Sequence, residues 1–277
     1  MDKFLYGCIY LSAAIAVSVL LMIICYVTVR GIGSVSLEFL TTVTSARKGT
    51  VGIAGNIVNT LYIIVITLVI ATPIGVGSAI YLNEYAKPGK IVRIIEFTTE
   101  TLSGIPSIIF GLFGSVFFGT TLKLGYSLLT GALTLSLMIL PLITRNTQEA
   151  LRTVPNSYRS GALGMGATKW HMIRTILLPS AMPGIITGVI LAIGRIVGES
   201  AALLFTAGSG YLLPKAGGWL SKILQPGGTL TIQLYLSSSK AEYNVAFGIA
   251  FVLLVIVLCI NFLTKYLAKR FDATRMK

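Results

Sequence analysis

The stretch from residue 57 to residue 82 decides the fold: Ile57-Val-Asn-Thr-Leu-Tyr-Ile-Ile-Val-Ile-Thr-Leu-Val-Ile-Ala-Thr-Pro-Ile-Gly-Val-Gly-Ser-Ala-Ile-Tyr-Leu82. It is predominantly apolar and contains no charged side chain. About 20 such residues are enough for an α-helix to cross the hydrocarbon core of a bilayer. Residues 57–82 are therefore predicted to form a transmembrane helix.

Five further segments have the length and the apolar character of membrane spans. They are Phe4–Val29, Thr101–Phe118, Leu124–Ile143, Pro183–Phe205 and Val245–Leu267. The first is longer than the apolar region of a signal peptide, which has about 7–15 residues, so we predict a retained helix. The second contains Gly104 and Pro106, which membrane helices tolerate where other helices pack against them. We predict an all-α polytopic membrane protein with about six transmembrane helices.

The composition agrees with lipid as the solvent of this chain. Hydrophobic residues make up 55% of the 277 residues and charged residues only 11%, whereas soluble domains have about 25% charged residues. The three cysteines, at positions 8, 25 and 259, lie inside apolar runs and suggest neither a disulfide nor a metal site. The net charge is +13, and most of the basic residues that cause it lie in the loops between the apolar spans. This placement is typical of residues that orient a protein in a membrane, so nucleic-acid binding is a weaker explanation of the charge.

The basic residues of the loops predict the orientation, because cytoplasmic loops are enriched in Lys and Arg. With a cytoplasmic N-terminus, the inner side has Lys3, Lys87, Lys90, Arg93, Arg145, Arg152, Arg159, Lys169, Arg174, Lys265, Lys269, Arg270, Arg275 and Lys277. The outer side has Arg30, Arg47, Lys48, Lys123, Lys215, Lys222 and Lys240. The inner side thus has about twice as many. Both termini are predicted to be cytoplasmic.

The connection from Thr144 to Met182 is long enough to have structure of its own. It contains a short amphipathic helix, a glycine break and a second helix, followed by Pro179 at the entry to the membrane. Trp170, Ile173, Ile176 and Leu177 recur at helical spacing. From periodicity alone, an interfacial helix lying on the bilayer explains this segment equally well.

This connection resembles the EAA motif of the ABC importer permeases. Ser160-Gly161-Ala162 occupies the EAA position, with Ser in place of the acid; Gly166 follows after three residues and Ile176-Leu-Leu178-Pro179 after nine more. The resemblance implies a MetI-like permease core in which Tyr158–Lys169 forms a cytoplasmic coupling helix that contacts a separate ATPase. The coupling residues that it implies are Tyr158, Ser160, Gly161, Ala162, Gly166, Ala167 and Lys169.

Further stretches resemble one branch of that family, the phosphate importer permeases of the PstA type. They are Leu102-Ser-Gly-Ile-Pro106-Ser-Ile-Ile-Phe-Gly-Leu-Phe113, Ala150-Leu-Arg-Thr-Val-Pro155, Tyr158-Arg-Ser-Gly-Ala-Leu-Gly-Met-Gly-Ala-Thr-Lys-Trp170, Leu178-Pro-Ser-Ala-Met-Pro-Gly184 and Gly194-Arg-Ile-Val-Gly-Glu-Ser-Ala201. We call the third of these stretches, Tyr158–Trp170, the coupling segment. The resemblance implies a translocation subunit for phosphate, with residues 1–54 as a first helix and loop and residues 55–277 as the permease domain. It also implies four partners besides membrane lipid: a PstC-like second permease, two copies of a PstB-like ATPase and a PstS-like phosphate-binding protein.

Arg195 and Glu199 are charged residues near the middle of the predicted span Pro183–Phe205. A charge at the bilayer centre costs about 2.5–3.5 kcal/mol, so such residues usually serve a function. Four residues apart on one helix, they are expected to share a face and to pair. We interpret them as lining the substrate path, since a guanidinium binds an oxyanion with two hydrogen bonds. A purely structural ion pair is the alternative.

Ser103, Gly104 and Ser107 are predicted to open the third span beside Pro106. A helix N-terminus presents free N–H groups to anions, so we place these residues in the substrate path as well; an ordinary helix start with a capping serine is the alternative. The single histidine, His171, has no partner residues that would suggest a metal site. No catalytic residue and no cofactor is predicted.

Two other functions remain open from the sequence. A permease for molybdate, sulfate or another solute would show similar spans. An integral membrane enzyme would need a cluster of acids, His or Cys, and only Glu84, Glu96 and Glu100 come close; beside Lys87, Lys90 and Arg93 they read as solvated charges. The chain lacks the glycine-rich G-x-x-x-x-G-K-[ST] phosphate-binding loop, so ATP hydrolysis is assigned to a partner.

Overall fold

The computed structural model describes residues 2–45, 50–87, 89–214 and 218–271. In its first half the helices are α1 (Asp2–Gly31), α2 (Leu37–Thr41), α3 (Ala54–Ile80), α4 (Lys90–Gly104) and α5 (Ser107–Gly114). In its second half they are α6 (Leu128–Arg152), α7 (Asn156–Gly164), α8 (Lys169–Met172), α9 (Leu178–Gly198), α10 (Ala201–Thr206), α11 (Leu230–Ser239) and α12 (Tyr243–Phe271). The strands β1 (Val43–Ser45) and β2 (Thr50–Ile53) form a small antiparallel hairpin before α3.

Several helices continue through π-helical turns. These turns are Tyr81–Tyr85 after α3, Ser115–Thr121 after α5 and Ile173–Leu177 between α8 and α9. Two 3₁₀ turns, Ile32–Ser34 and Ser221–Leu224, complete the elements. Because α8 continues through its π-turn into α9, one apolar helical segment runs from Lys169 to Gly198.

The membrane spans agree in number with the expectation from the sequence. Five helical segments of the described chain are long and apolar enough to cross a bilayer. The count reaches six when the bent pair Lys90–Gly104 and Ser107–Thr121, with an angle of 102° between its two parts, is taken as one span; its shape fits a broken span or a re-entrant loop. The all-α polytopic class is therefore confirmed, but the predicted third span is a broken element and not one continuous helix.

The core of the bundle is formed by α3, α6 and α9. Side chains of these helices that are almost completely buried include Ile63, Leu135, Ile139, Ala192 and Ile196. Two glycines of α9 allow a close approach to α6, as their spacing of four residues predicts. A Cβ atom at Gly184 would lie 2.5 Å from the Ala150 Cβ, and one at Gly188 would lie 2.7 Å from the Asn146 Cβ.

The helix α1 has little contact with the rest of the chain. Its membrane-crossing part is not buried at all, and its last turn packs on α12, where a Cβ at Gly31 would lie 2.4 Å from the Phe247 carbonyl oxygen. Tyr26 also meets the Phe247 ring edge to face, with centroids 5.6 Å apart. Most of α1 therefore presents its apolar side chains to lipid or to another subunit.

The segment between α10 and α11 packs tightly on the start of α3. Asn56 and Asn59 are buried, and their side-chain amides donate to the Gly228 carbonyl. Lys222 is also buried, with its Nζ donating to the Pro226 carbonyl oxygen at 3.4 Å. Its burial distinguishes Lys222 from Lys123 and Lys240, which are exposed. Arg47, Lys48, Lys215, Arg275 and Lys277 lie outside the described residues.

Candidate functional site

Two broken helices meet in the middle of the bundle, and the first break is at Ile105–Pro106. Pro106 has no N–H and disfavours a helical residue before it; Ile105 is accordingly extended, with ψ 132°. The α4 helix therefore ends at Gly104, and α5 begins at Ser107. The expectation that Ser103 and Gly104 open a helix is wrong, because they close α4. Of the three, only Ser107 lies at a helix N-terminus.

The second break separates α9 from α10 at Glu199. The helix α9 ends at Gly198, and Glu199 is extended, with ψ 123°. The buried Glu199 carboxylate accepts a hydrogen bond from the Ala202 N–H at 3.1 Å, in the first turn of α10. Arg195 is exposed, and no ion pair joins it to Glu199 in the described part of the chain. The predicted pairing of these two residues is therefore wrong, since the chain leaves the helix between them.

The two breaks are neighbours in space. The short helices that follow them, α5 and α10, pack closely: a Cβ at Gly111 would lie 2.8 Å from the Ala202 Cα. The Thr231 hydroxyl, from α11, donates to the Glu199 carbonyl oxygen at 2.9 Å and fixes the second break. Discontinuous membrane helices expose backbone polar groups only where they line a cavity or are buried in protein, and transporters use such breaks as binding sites.

A cavity of about 450 Å³ lies beside the first break. We call it the Arg195 cavity. Its polar lining comes from α4, α6 and α9, namely Thr99, Ser103, Arg145, Asn146, Glu149 and Arg195. The structure thus brings together Ser103 and Arg195, which are distant in the sequence, and adds Arg145 and Asn146. Gly104, Ser107 and Glu199 are not part of this lining.

The charges around the Arg195 cavity are unevenly paired. The Arg145 guanidinium donates to the Glu100 carboxylate at 2.9 Å and lies 3.9 Å from that of Glu149. No carboxylate lies within 4.0 Å of the Arg195 guanidinium among the described residues. Arg195 is therefore the positive charge of the cavity without a carboxylate partner among the described residues, and a guanidinium can bind an anion bidentately.

A second cavity of about 500 Å³ shares three lining residues with the first. Its charged lining consists of Arg93, Glu96, Glu100, Arg145, Glu149 and Arg152. One wall is α4, which has no buried side chain and contacts α6 through exposed ion pairs. Exposed pairs of this kind contribute about 0.2–1 kcal/mol each. The α4 helix, which lines both cavities, is thus held to α6 by weak contacts.

The coupling segment has the helix–glycine–helix structure that its sequence predicts. The helix α7 ends at Gly164, and Gly166 adopts φ +85°, a left-handed conformation that favours glycine. The helix α8 then begins at Lys169, behind the Thr168 hydroxyl, which accepts from the His171 N–H. Local turn chemistry therefore fixes the shape of the segment.

The coupling segment leaves several side chains exposed. Tyr158, Leu163, Met165 and Trp170 form an apolar exposed surface, and Ser160, Gly161, Gly166 and Lys169 are exposed as well. Ala167 is half-buried. Ala162 is buried against α6 and α9. The Ala162 side chain is therefore not part of the exposed surface.

Glu84 and Arg159 form an ion pair that the sequence did not indicate. The Arg159 Nη2 and the Glu84 Oε1 are 2.9 Å apart, with side chains only 18% and 5% exposed. Glu84 is therefore not a solvated charge. Since its partner lies 75 residues away, neither residue gives a local signal for the pair.

The chain matches a known protein family over most of its length. Residues 71–273 match the family described as "Binding-protein-dependent transport system inner membrane component". The matched range contains both helix breaks, the coupling segment and every residue that lines the two cavities.

Individual proteins are similar over most of the chain. The probable ABC transporter permease protein YqgI of Bacillus subtilis (strain 168) is 42% identical over 75% of this chain and 70% of its own length. The phosphate transport system permease protein PstA of Haemophilus influenzae (strain ATCC 51907 / DSM 11121 / KW20 / Rd) is 32% identical over 95% of this chain and 92% of its own. A solved structure of the MetNI methionine ABC transporter in an inward-facing conformation is similar in fold, with a TM-score of 0.60 and 22% identity over 79% of this chain and 94% of that chain.

Proposed function

Because the chain belongs to the family of binding-protein-dependent transport system inner membrane components, we propose that it is the translocation subunit of a phosphate importer. Members of this family are multi-pass inner-membrane subunits of ABC transporters. They are not enzymes, since ATP hydrolysis lies in a partner subunit. The relatives named as phosphate permeases, such as the one from Haemophilus influenzae, suggest the substrate.

The single observation that supports the anion most is the position of Arg195. Its guanidinium lines a cavity at the meeting point of two broken helices and lacks a carboxylate partner among the described residues. A planar guanidinium matches two oxygens of a tetrahedral oxyanion. Ser103, Asn146 and Thr99 add neutral hydrogen-bonding groups to the same wall. Phosphate therefore has both charge and hydrogen-bond partners there.

Sulfate and molybdate offer the same geometry to Arg195, so the choice between oxyanions rests on their protonation. Phosphate has a protonated oxygen near neutral pH and can donate a hydrogen bond, whereas sulfate cannot. The Glu149 carboxylate, in the wall of the Arg195 cavity, is an acceptor for such a donor. A cavity with both a guanidinium and a carboxylate favours phosphate over sulfate.

The proposed complex contains a PstC-like second permease, two copies of a PstB-like ATPase and a PstS-like binding protein. The exposed surface of the coupling segment, with Tyr158, Leu163, Met165 and Trp170, is the proposed ATPase contact. Gly166 shapes this surface through its left-handed conformation. Closure of the ATPase dimer would move the coupling segment and switch the Arg195 cavity between the two sides of the membrane.

We further propose that both termini and the coupling segment are cytoplasmic. Residues 1–54 then form a first helix and an outer loop, and residues 55–277 form the permease domain. Cysteines at Lys123 or Lys240, both exposed, should react with an impermeant thiol reagent from outside in a background without the native cysteines. Cysteines at Lys90 or Ser160 should not. Labelling of Ser160→Cys from outside would contradict this orientation.

The proposed substrate is tested by the ATPase activity of the reconstituted complex. The binding protein loaded with phosphate should stimulate hydrolysis, whereas the same protein offered sulfate or molybdate should not. Stimulation by sulfate or molybdate without stimulation by phosphate would replace the proposed substrate and leave the family assignment unchanged.

A further inference from the structure

The Arg159 guanidinium joins three elements at the α7 end of the bundle. Its Nε and Nη2 donate to the Glu84 Oε1 at 3.2 and 2.9 Å, in the π-turn after α3. Its Nη2 and Nη1 also donate to the Leu151 and Val154 carbonyl oxygens, both at 2.9 Å, at the end of α6. A further bond goes to the Asn156 Oδ1 at 3.2 Å, within α7.

These contacts use the full hydrogen-bonding capacity of the side chain. A guanidinium has five N–H donors, and each has one of the acceptors above. The Glu84 carboxylate is held in turn by the Asn83 side-chain amide at 2.7 Å. A buried charge pair is costly to break when one partner is removed, because the other charge remains without compensation. The link between α7 and α3 is therefore stiff.

A second contact joins the same two regions. The Lys169 Nζ lies 4.9 Å from the centroid of the Tyr85 ring, one residue beyond Glu84. The coupling segment is thus attached to the end of α3 on both sides of Gly166, through Arg159 before it and Lys169 after it. The Lys169 contact is exposed, and an exposed cation–π contact is weak, so the Arg159 contacts are the stronger attachment of the segment to α3.

The helices α3 and α6, which these contacts join to the coupling segment, connect it to the Arg195 cavity. Leu151 and the cavity residues Arg145 and Asn146 are on α6, about 8–9 Å apart along its axis. The helix α3 packs on α6 so closely that a Cβ at Gly75 would lie 2.7 Å from the Ile143 Cγ2. A displacement of α7 that is passed to the ends of α3 and α6 therefore reaches the cavity wall as a rigid-body movement.

We propose that Glu84 and Arg159 are positioning residues that transmit the movement of the coupling segment into α3 and α6. This inference rests on the proposed function, in that it requires an ATPase at the coupling segment, but it does not depend on which anion is carried. Without the pair, the ATPase still binds the exposed surface and hydrolyses ATP, but the wall of the Arg195 cavity no longer moves with the coupling segment.

The test uses the full complex in proteoliposomes and compares Glu84→Gln and Arg159→Gln with Arg174→Gln. Arg174 is exposed and lines neither cavity, so its variant controls for the loss of one positive charge. The phosphate transported per ATP hydrolysed is expected to fall about fivefold or more in the first two variants, as for other coupled sites. The control is expected to keep the wild-type ratio.

A second measurement does not need a substrate. In a background without native cysteines, a cysteine at Ser103 reports on the cavity through its labelling rate with a thiol reagent. ATP should change this rate in the otherwise wild-type complex and should not change it in the two pair variants. If the wild-type complex transports no phosphate, the proposed substrate fails, and the labelling experiment still tests the pair.

Three results would overturn the inference. The first is a wild-type amount of phosphate transported per ATP hydrolysed by an assembled Glu84→Gln complex. The second is a wild-type effect of ATP on the labelling rate of the cysteine at Ser103 in that complex. Glu84→Gln preserves the shape of the side chain, so it decides the question if Arg159→Gln does not assemble. The third is a failure of both variants to assemble, because the pair would then serve folding only.

Discussion

The Glu199 carboxylate accepts a hydrogen bond from the Ala202 N–H at 3.1 Å, across the point where α9 ends and α10 begins. A side-chain acceptor in this position satisfies one of the free N–H groups of a helix start. Glu199 therefore stabilises the break itself, while Arg195, one turn earlier, is left to line the cavity.

Removing the Glu199 cap should destabilise the protein independently of Arg195. Glu199→Ala is expected to lower the free energy of unfolding by about 1–2 kcal/mol, whereas Glu199→Gln retains an acceptor oxygen and should lose much less. Thermal unfolding of the purified complex measures both. Because the two side chains do not pair, the effects of Glu199→Gln and Arg195→Leu should add within about 0.5 kcal/mol. A larger interaction energy would indicate a direct pair.

Arg195→Lys should assemble normally and transport poorly. It keeps the positive charge but loses the planar pair of donors. Loss of one hydrogen bond to a charged group corresponds to a fall of about tenfold or more in the transport rate. Phosphate uptake measures the effect, with Arg174→Lys as an exposed control. Wild-type uptake by Arg195→Lys and Arg195→Leu together would remove Arg195 from the substrate path.

Gly166→Ala should distort the coupling segment. Gly166 has φ +85°, a conformation that costs a residue with a Cβ about 1–2 kcal/mol. We expect lower stability and weaker association with the ATPase, measured by unfolding and by co-purification. Gly164→Ala is the matched control for stability: Gly164 is helical, with open space around its Cβ position, and alanine should be neutral or stabilising there. Equal stability of the two variants would contradict the assigned role of the turn.

Lys222→Met should stabilise the protein most at neutral pH. Burial lowers the pKa of the Lys222 ammonium below its usual 10.5, because an apolar environment disfavours the charged form. Between the lowered pKa and 10.5 the unfolded chain binds more protons, so the stability of the native protein rises with pH in that window. The methionine variant should therefore be more stable than the wild type near neutral pH, and the gain should shrink as the pH approaches 10.5. Unfolding at several pH values measures it; an equal gain at all pH values would assign the effect to packing.

The sequence predicted the spans because hydropathy is a property of consecutive residues. Ile57–Leu82 corresponds to α3 and the start of the π-helical turn that follows it, and Val245–Leu267 lies within α12. The coupling segment was also predictable, because Gly166 and Pro179 act locally on the backbone. The breaks were harder to place. Pro106 lies at the first break, but a proline is also tolerated inside a packed membrane helix, and the apolar residues on both sides did not show where each helix ends.

Other parts of the site depend on contacts between distant residues. Glu84 has charged neighbours in the sequence, which is typical of a solvated residue. In the structure it pairs with Arg159, and its side chain is buried. Arg145 was assigned to a loop, since the predicted fourth span stopped at Ile143, whereas α6 continues to Arg152. Lys222 is buried by the packing of its loop on α6 and α3. Only the tertiary structure reveals these environments.

The central claim is that this chain forms the path for phosphate, and uptake into proteoliposomes tests it most directly. The complex with its ATPase and binding protein is supplied with ATP and with radiolabelled phosphate, sulfate or molybdate at equal concentrations. We predict ATP-dependent accumulation of phosphate, little accumulation of the other two anions, and loss of phosphate uptake in Arg195→Lys. ATP-dependent accumulation of sulfate or molybdate without phosphate would contradict the claim.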